Sequence, residues 1–283
     1  MLFLEILKAI ILGIVEGITE WLPVSSTGHM ILVDELMSLN VSPEFMELFL
    51  VVIQLGAICA VPVLFFGKLN PFSARKSATE RKSTWLLWAK VIVGVMPAAV
   101  IGVLFDDFLD EHLYNFVTVA ITLIVYGIAF IIVEHFKRDK ASRVERVEDL
   151  TFTDALLIGG FQVLSLIPGT SRSGSTILGG RLIGVSRSAS AEFSFFMAIP
   201  VMLGASLLKV AKFVLEGYTA TGTEICLLLV GLVVSFIVSL AAIPCGYPLP
   251  YRLRQAPHLH PLRYLPYCTR RPRHRLLPYN EIK

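Results

Sequence analysis

Long apolar runs separated by short polar breaks set the strongest limit on what this chain can fold into. Runs at about 45–66, 85–105, 114–136, 190–213 and 223–243 approach or reach the roughly 20 residues with which an α-helix crosses a bilayer. Lipid offers the backbone no hydrogen bonds, so such runs must be helical, and the expected class is an all-α, polytopic membrane protein. Composition agrees. With 55% hydrophobic and 17% charged residues, a disordered chain is excluded and an ordinary soluble domain is disfavoured. A net charge of +3 is too small to point to nucleic acid. The first apolar run carries Glu16 and Glu20 and lacks a small-residue cleavage site, so it is not a signal peptide. Cys59, Cys226, Cys245 and Cys268 have no metal-like spacing, and those in apolar runs are expected to be packing residues.

Two breaks stand out because they are polar where the chain is otherwise apolar. The first is Glu16-Gly-Ile-Thr-Glu20-Trp-Leu-Pro23-Val-Ser25-Ser26-Thr27-Gly28-His29. Ionisable groups at membrane depth are costly and mark a site by default. Glu16 and Glu20 are one helical turn apart and share a face. Two carboxylates that close repel unless a cation bridges them or one is protonated. The second break is Leu164-Ser-Leu-Ile-Pro168-Gly169-Thr170-Ser171-Arg172-Ser173-Gly174-Ser175-Thr176. It offers a cation and many hydrogen-bond donors. Together the two stretches describe one site for an anionic group, with phosphate the favoured anion.

Charge in the loops orients the chain. Basic residues gather at 67–84 and 137–149 and acidic ones at 106–112, so the basic loops share the cytoplasmic face. Residues 2–39 then form a re-entrant hairpin opening outward, and 152–186 a second hairpin entering from the cytoplasm. Pro23 and Pro168 lie 145 residues apart, and Gly56-Ala57 and Gly204-Ala205 lie 148 apart. The expectation is two inverted repeats, each a re-entrant helix–loop–helix followed by spanning helices, an arrangement that places a substrate site near the midplane. The expected divisions are 1–136 for the first repeat, 137–149 for a cytoplasmic loop, 150–243 for an incomplete second repeat, and 244–283 for a tail. That tail is rich in Pro and Arg and cannot continue a spanning helix. A reading-frame change or a truncation is the expected cause, and resequencing of the coding DNA tests it.

These residues resemble the undecaprenyl-diphosphate phosphatases, the bacitracin-resistance phosphatase family. The resemblance rests on the glutamate-rich stretch through Pro23-Val-Ser-Ser-Thr-Gly-His29, on Pro168-Gly-Thr-Ser-Arg-Ser-Gly174, and on Glu192-Phe-Ser-Phe, and it runs from about residue 4 to 243. It implies a multi-pass enzyme of the bacterial inner membrane with its site opening to the periplasm. That enzyme removes the terminal phosphate of a C55 polyprenyl diphosphate, which recycles the lipid carrier of cell-wall synthesis and confers bacitracin resistance. It also implies a divalent cation, Mg²⁺ or Ca²⁺, and catalytic roles for Glu16, Glu20, Ser26, His29 and Arg172. The implied partners are the polyprenyl diphosphate and membrane lipids, with no nucleic acid; a homodimer stays open.

The chemistry each residue supports is consistent with those roles. The planar fork of Arg172 grips two phosphate oxygens, and the turn around Gly169, Thr170, Ser171, Ser173 and Gly174 adds backbone and hydroxyl donors at a helix start. Glu16 and Glu20 suit a hard cation. Ser26 attack assisted by His29 is the favoured first step, with His29 itself or water as rival nucleophiles. Ser25, Thr27 and Gly28 line the same turn, although serines there also serve as simple helix caps. Gln54 either completes the polar wall or makes a helix–helix hydrogen bond. Glu192 could pair with Arg181 or Arg187 in a purely structural role. A secondary transporter or flippase of a phosphorylated substrate shares this architecture, but it needs no nucleophile.

Overall fold

The computed structural model describes residues 2–113, 116–137 and 141–246. Among them the chain is helical, apart from loops and a single bridge between Val144 and Val185. The order is α1 (Leu2–Thr19), α2 (Ser26–Met37), α3 (Pro43–Leu64), the short α4 (Phe66–Leu69), α5 (Ala78–Leu113) and α6 (Phe116–Lys137). Then come α7 (Phe152–Gln162), α8 (Arg172–Leu182), α9 (Arg187–Leu215) and α10 (Gly222–Gly246). Five stretches are long and apolar enough to cross a bilayer: Pro43–Leu64, Ala78–Phe105, Val117–Phe136, Arg187–Leu215 and Gly222–Cys245. Their outward faces are apolar, with Leu104, Ile131, Leu207 and Ile237 all exposed. A polytopic all-α membrane protein meets both observations.

The helices start where short polar side chains replace missing backbone partners. Ser42 caps α3 ahead of Pro43, Thr151 and Asp154 form a capping box at α7, and Ser186 caps α9. The two hairpins are α1–α2 and α7–α8. α1 packs against α10 and α2, and α7 against α5 and α8, while α3 and α9 lie against each other between them. Glycines set the closest approaches. A Cβ at Gly13 would lie 2.9 Å from the Gly231 carbonyl oxygen, and one at Gly159 only 2.1 Å from that of Gly94. Trp21 stands edge-on to Phe195 with ring centroids 5.0 Å apart, tying the first turn to α9.

Several expectations shift. α1 ends at Thr19, before Pro23, and residues 20–24 form the turn. The acidic segment 106–112 is not a loop but the end of α5, beyond a kink at Phe105 (φ −123°, ψ 16°). Arg81 and Lys82 likewise belong to α5, which shortens the basic loop. Cys59, Cys226 and Cys245 are exposed on the outer faces of their helices rather than packed inside. Glu192 pairs with Lys68 at 2.5 Å, whereas Arg181 and Arg187 face Glu134, each at 3.8 Å. α10 runs through Pro244 to Gly246, so the helix outlasts the boundary drawn at 243. Helices in protein-covered membrane surroundings tolerate such prolines. The rest of the tail, with Cys268, lies outside the described residues.

Candidate active site

Glu20 is the centre of the site. It follows the last turn of α1 and is 5% exposed. Its Oε2 accepts the hydroxyl hydrogen of Ser26 at 2.7 Å, and its Oε1 accepts from Arg172 Nη2 at 2.6 Å. Ser26 opens α2 and Arg172 opens α8, so one carboxylate joins the first residues of two helices from different hairpins. Arg172 Nη1 also donates to the Ser194 carbonyl at 3.0 Å. The guanidinium is thus held along one edge, and its Nε has no partner among the described residues. A charge-assisted pair in such a dry setting is strong only because both ions are also hydrogen-bonded elsewhere.

The turns that carry these residues are clamped together. Ser173 Oγ lies 3.2 Å from the carbonyl oxygens of both Glu20 and Leu22, and a Cβ on Gly174 would stand 3.5 Å from that of Pro23. Ser171 caps α8 by accepting from the Gly174 N–H at 3.0 Å, and Ser25 caps α2 by accepting from the Gly28 N–H at 3.3 Å. Ser25 adopts φ 62°, a conformation that costs a non-glycine residue free energy and concentrates at functional turns. Its carbonyl accepts from His29 Nδ1 at 2.8 Å. A carbonyl can only accept, so the Nδ1 of His29 is the donor in this bond, and Nε2 takes no part in it. At the tip of the second hairpin Gly169 has φ 85°, and a Cβ there would lie 2.4 Å from Thr122 Oγ1. Thr122 in turn donates to the Pro168 carbonyl at 2.7 Å.

Glu16 is fully buried, and neither of its carboxylate oxygens has a hydrogen-bond partner among the described residues. It lies beside Glu20, Ser26 and Arg172. Ser26 has one hydroxyl hydrogen and gives it to Glu20, so Glu16 is left without a donor. An orphaned carboxylate next to a second one fits the oxygen preference of a hard divalent cation. Among the described residues no three His, Cys, Asp or Glu side chains cluster into a closed metal cage. Such a site would draw its remaining ligands from water and substrate, as Mg²⁺ sites commonly do.

The sequence-predicted residues are therefore only partly united. Glu16, Glu20, Ser26 and Arg172 converge, with Ser173, Ser171 and Gly174 framing Arg172. Thr170 is 7% exposed, and its hydroxyl has no partner among the described residues. Thr27 is exposed on the first turn of α2. Gln54 is turned back on its own helix, where Nε2 donates to the Leu50 carbonyl at 3.1 Å. Ser26 pairs with Glu20, and His29 with the Ser25 carbonyl. Sequence reasoning missed the Ser194 carbonyl, because a backbone acceptor leaves no mark in side-chain identity. It also missed Thr122 and Tyr126 of α6, whose bonds to Pro168 and Ser175 steady the second hairpin at 2.7 and 2.9 Å. Two hydroxyls on one face of an apolar helix were the available signal.

The family model described as bacitracin resistance protein BacA matches residues 9–245. The chain is 60% identical over 243 residues to an undecaprenyl-diphosphatase of Enterococcus faecalis, covering 86% of this chain and 88% of the relative. It is 59% identical over 240 residues to the undecaprenyl-diphosphatase of Acetivibrio thermocellus, covering 85% and 87%. The corresponding protein of Limosilactobacillus fermentum is 57% identical over 240 residues, with the same coverage.

Proposed function

The chain belongs to the BacA bacitracin resistance family, and from that premise we infer that it is a membrane phosphatase converting undecaprenyl diphosphate to undecaprenyl phosphate and phosphate. That activity recycles the lipid carrier of cell-wall synthesis and accords with bacitracin resistance. The observation that carries the mechanism is Glu20 bridging Ser26 and Arg172 at 2.7 and 2.6 Å.

The terminal phosphoryl group binds against the free Nε edge of Arg172 and the donors of the second turn. Arg172 neutralises its charge, and Glu20 and the Ser194 carbonyl keep the fork from rotating. Ser26 Oγ attacks the terminal phosphorus while its proton passes to Glu20 Oε2. The bond to the bridging oxygen breaks, and the lipid monophosphate leaves with that electron pair. Water then attacks the phosphoserine, His29 Nε2 accepts a proton from that water, and Ser26 Oγ departs, recovering the proton held by Glu20. Glu16 and Glu20 would hold a Mg²⁺ or Ca²⁺ ion, which when bound supplies charge neutralisation to the diphosphate. The basic residues gathered at 67–84 and 137–149 support a bacterial inner-membrane reading with the site opening to the periplasmic side.

Phosphate release from a polyprenyl diphosphate by the purified protein in detergent tests the reading. Glu20→Ala, His29→Ala and Arg172→Ala are each expected to lower kcat/KM by on the order of 10²-fold or more, and a chelator to suppress release. Activity surviving all three substitutions overturns the enzyme. A Ser26→Ala protein that still turns over, or phosphate trapped on His29, overturns the serine step alone.

A further inference from the structure

Gln162 is the buried polar group for which this mechanism has no use. It ends α7 and is 1% exposed, and neither Oε1 nor Nε2 has a hydrogen-bond partner among the described residues. Leaving both ends of a buried amide unpaired is costly, and each such group calls for an explanation.

Its register supplies one. The buried stripe of α7 runs through Ala155, Ile158, Gly159 and Gln162. Gly159 seats that stripe on α5, where a Cβ would stand 2.1 Å from the Gly94 carbonyl oxygen, and Gln162 follows three residues later. α1 is seated on α10 in the same manner through Gly13, and Glu16 follows three residues later. Glu16 precedes the capping Ser25 by nine residues, and Gln162 precedes the capping Ser171 by nine. Gln162 therefore holds in the second hairpin the place that Glu16 holds in the first, and Glu16 lies beside Glu20, Ser26 and Arg172.

Among the described residues the first hairpin leaves both Glu16 oxygens and the Trp21 Nε1 donor without partners. The second leaves the donors Gln162 Nε2, Thr170 Oγ1 and Arg172 Nε, together with the acceptor Gln162 Oε1. Unpaired donors that outnumber unpaired acceptors suit an oxyanion. We propose that Gln162 is a substrate-contacting residue whose amide N–H donates to a non-bridging oxygen of the diphosphate, beside Thr170 and Arg172. An amide does so without adding charge, whereas a carboxylate in this place would repel the same headgroup. The inference rests on the diphosphatase reading above and extends it to a residue on α7.

The full-length chain, purified in detergent, is compared with its Gln162→Met and Gln162→Glu variants. Phosphate release is followed over a range of polyprenyl diphosphate concentrations, and thermal unfolding by tryptophan fluorescence. Gln162→Met is expected to lower kcat/KM by about 10- to 100-fold while Tm holds or rises, because a buried unpaired amide gives way to an apolar side chain of similar size. Gln162→Glu is expected to fall below Gln162→Met. Three results overturn the proposal: Gln162→Met within twofold of the wild type, a loss of activity that tracks a lower Tm, or Gln162→Glu as active as the wild type. A wild-type protein that releases no phosphate defeats the diphosphatase reading itself, so the two failures are distinguishable.

Discussion

The hairpin leading into α2 and the hairpin leading into α8 share a backbone plan and differ in charge. Each runs from a glycine-seated helix into a serine-capped one, with the capping hydroxyl accepting from the glycine N–H three residues on. In each, the residue just after the cap donates to Glu20. That residue is a hydroxyl in the first hairpin and a guanidinium in the second. Strain is distributed differently as well. The first hairpin places its left-handed backbone at Ser25, directly against the reactive residues, while the second places it at Gly169, where no Cβ exists to object. The difference teaches that one capping plan, reached through two backbone conformations, can present either a nucleophile or an anion receptor. The chemical character is carried by the side chain at the first helical position, Ser26 in one hairpin and Arg172 in the other.

The comparison is broken most sharply at Arg172. Arg172→Lys keeps the charge but cannot bond Glu20 and the Ser194 carbonyl together and still offer a free edge. A kcat/KM lower by on the order of 10²- to 10³-fold is expected, with the protein still folded. Steady-state phosphate release measures it. A loss under tenfold would mean that a point charge suffices and that the second hairpin is no more than an electrostatic counterweight to the first.

Much of this was legible in the chain. Apolar run length gave the helices, because lipid leaves the backbone no other satisfied state. Buried acids, hydroxyls and Arg172 in apolar surroundings mark the candidate site, because such groups are costly there. What stayed hidden was set by partners distant in sequence. Glu192 was matched to nearby arginines, yet Lys68, brought in by α4, reaches it first. Ser26 was matched to His29 on the expected chemistry of the pair, while the strained turn at Ser25 turns the imidazole to the Ser25 carbonyl instead. The acidic run 106–112 looked like a loop, but α5 continues helical beyond its kink. Inverted repeats remain our proposal from spacing. The reciprocal seating of α1 on α10 and of α7 on α5 supports it.

That seating supplies the next prediction, of intermediate size. Gly159→Ala drives a methyl group to 2.1 Å from a backbone oxygen, which neither helix can relieve by turning a side chain. Gly13→Ala meets the Gly231 oxygen and Val234 at 2.9 Å, a smaller intrusion. Overpacking costs about 1–3 kcal/mol, so Gly159→Ala is expected near the upper end and Gly13→Ala near the lower. Thermal unfolding of both variants in one detergent ranks them. Equal losses would mean that the two hairpins are seated with equal tolerance, and the reverse order would contradict the packing.

The smallest expected effect lies at the base of the second hairpin. Lys68 there bridges Glu148, just ahead of α7, and Glu192 of α9, at 3.1 and 2.5 Å. At the base of the first hairpin Lys8 pairs with Glu5 at 2.9 Å, and the two side chains also bond the Ser38 carbonyl and the Asn40 N–H at 2.8 and 2.9 Å. Burial pushes the Glu148 carboxyl up, but the Lys68 ammonium and the hydrogen bonds around it outweigh this and hold it below the usual carboxylate range. A depressed carboxyl stabilises the fold above its unfolded pKa, about 4.3, and that stability is lost as pH falls through the lower folded value. The pair is partly solvated, so the effect is modest. Glu148→Gln should lower Tm by about 1–2 °C at pH 7, with the gap to wild type closing as the pH drops below about 4. A gap that widens on acidification would show that Glu148 is held up by burial rather than down by Lys68, and the second hairpin would then be no better anchored than the first.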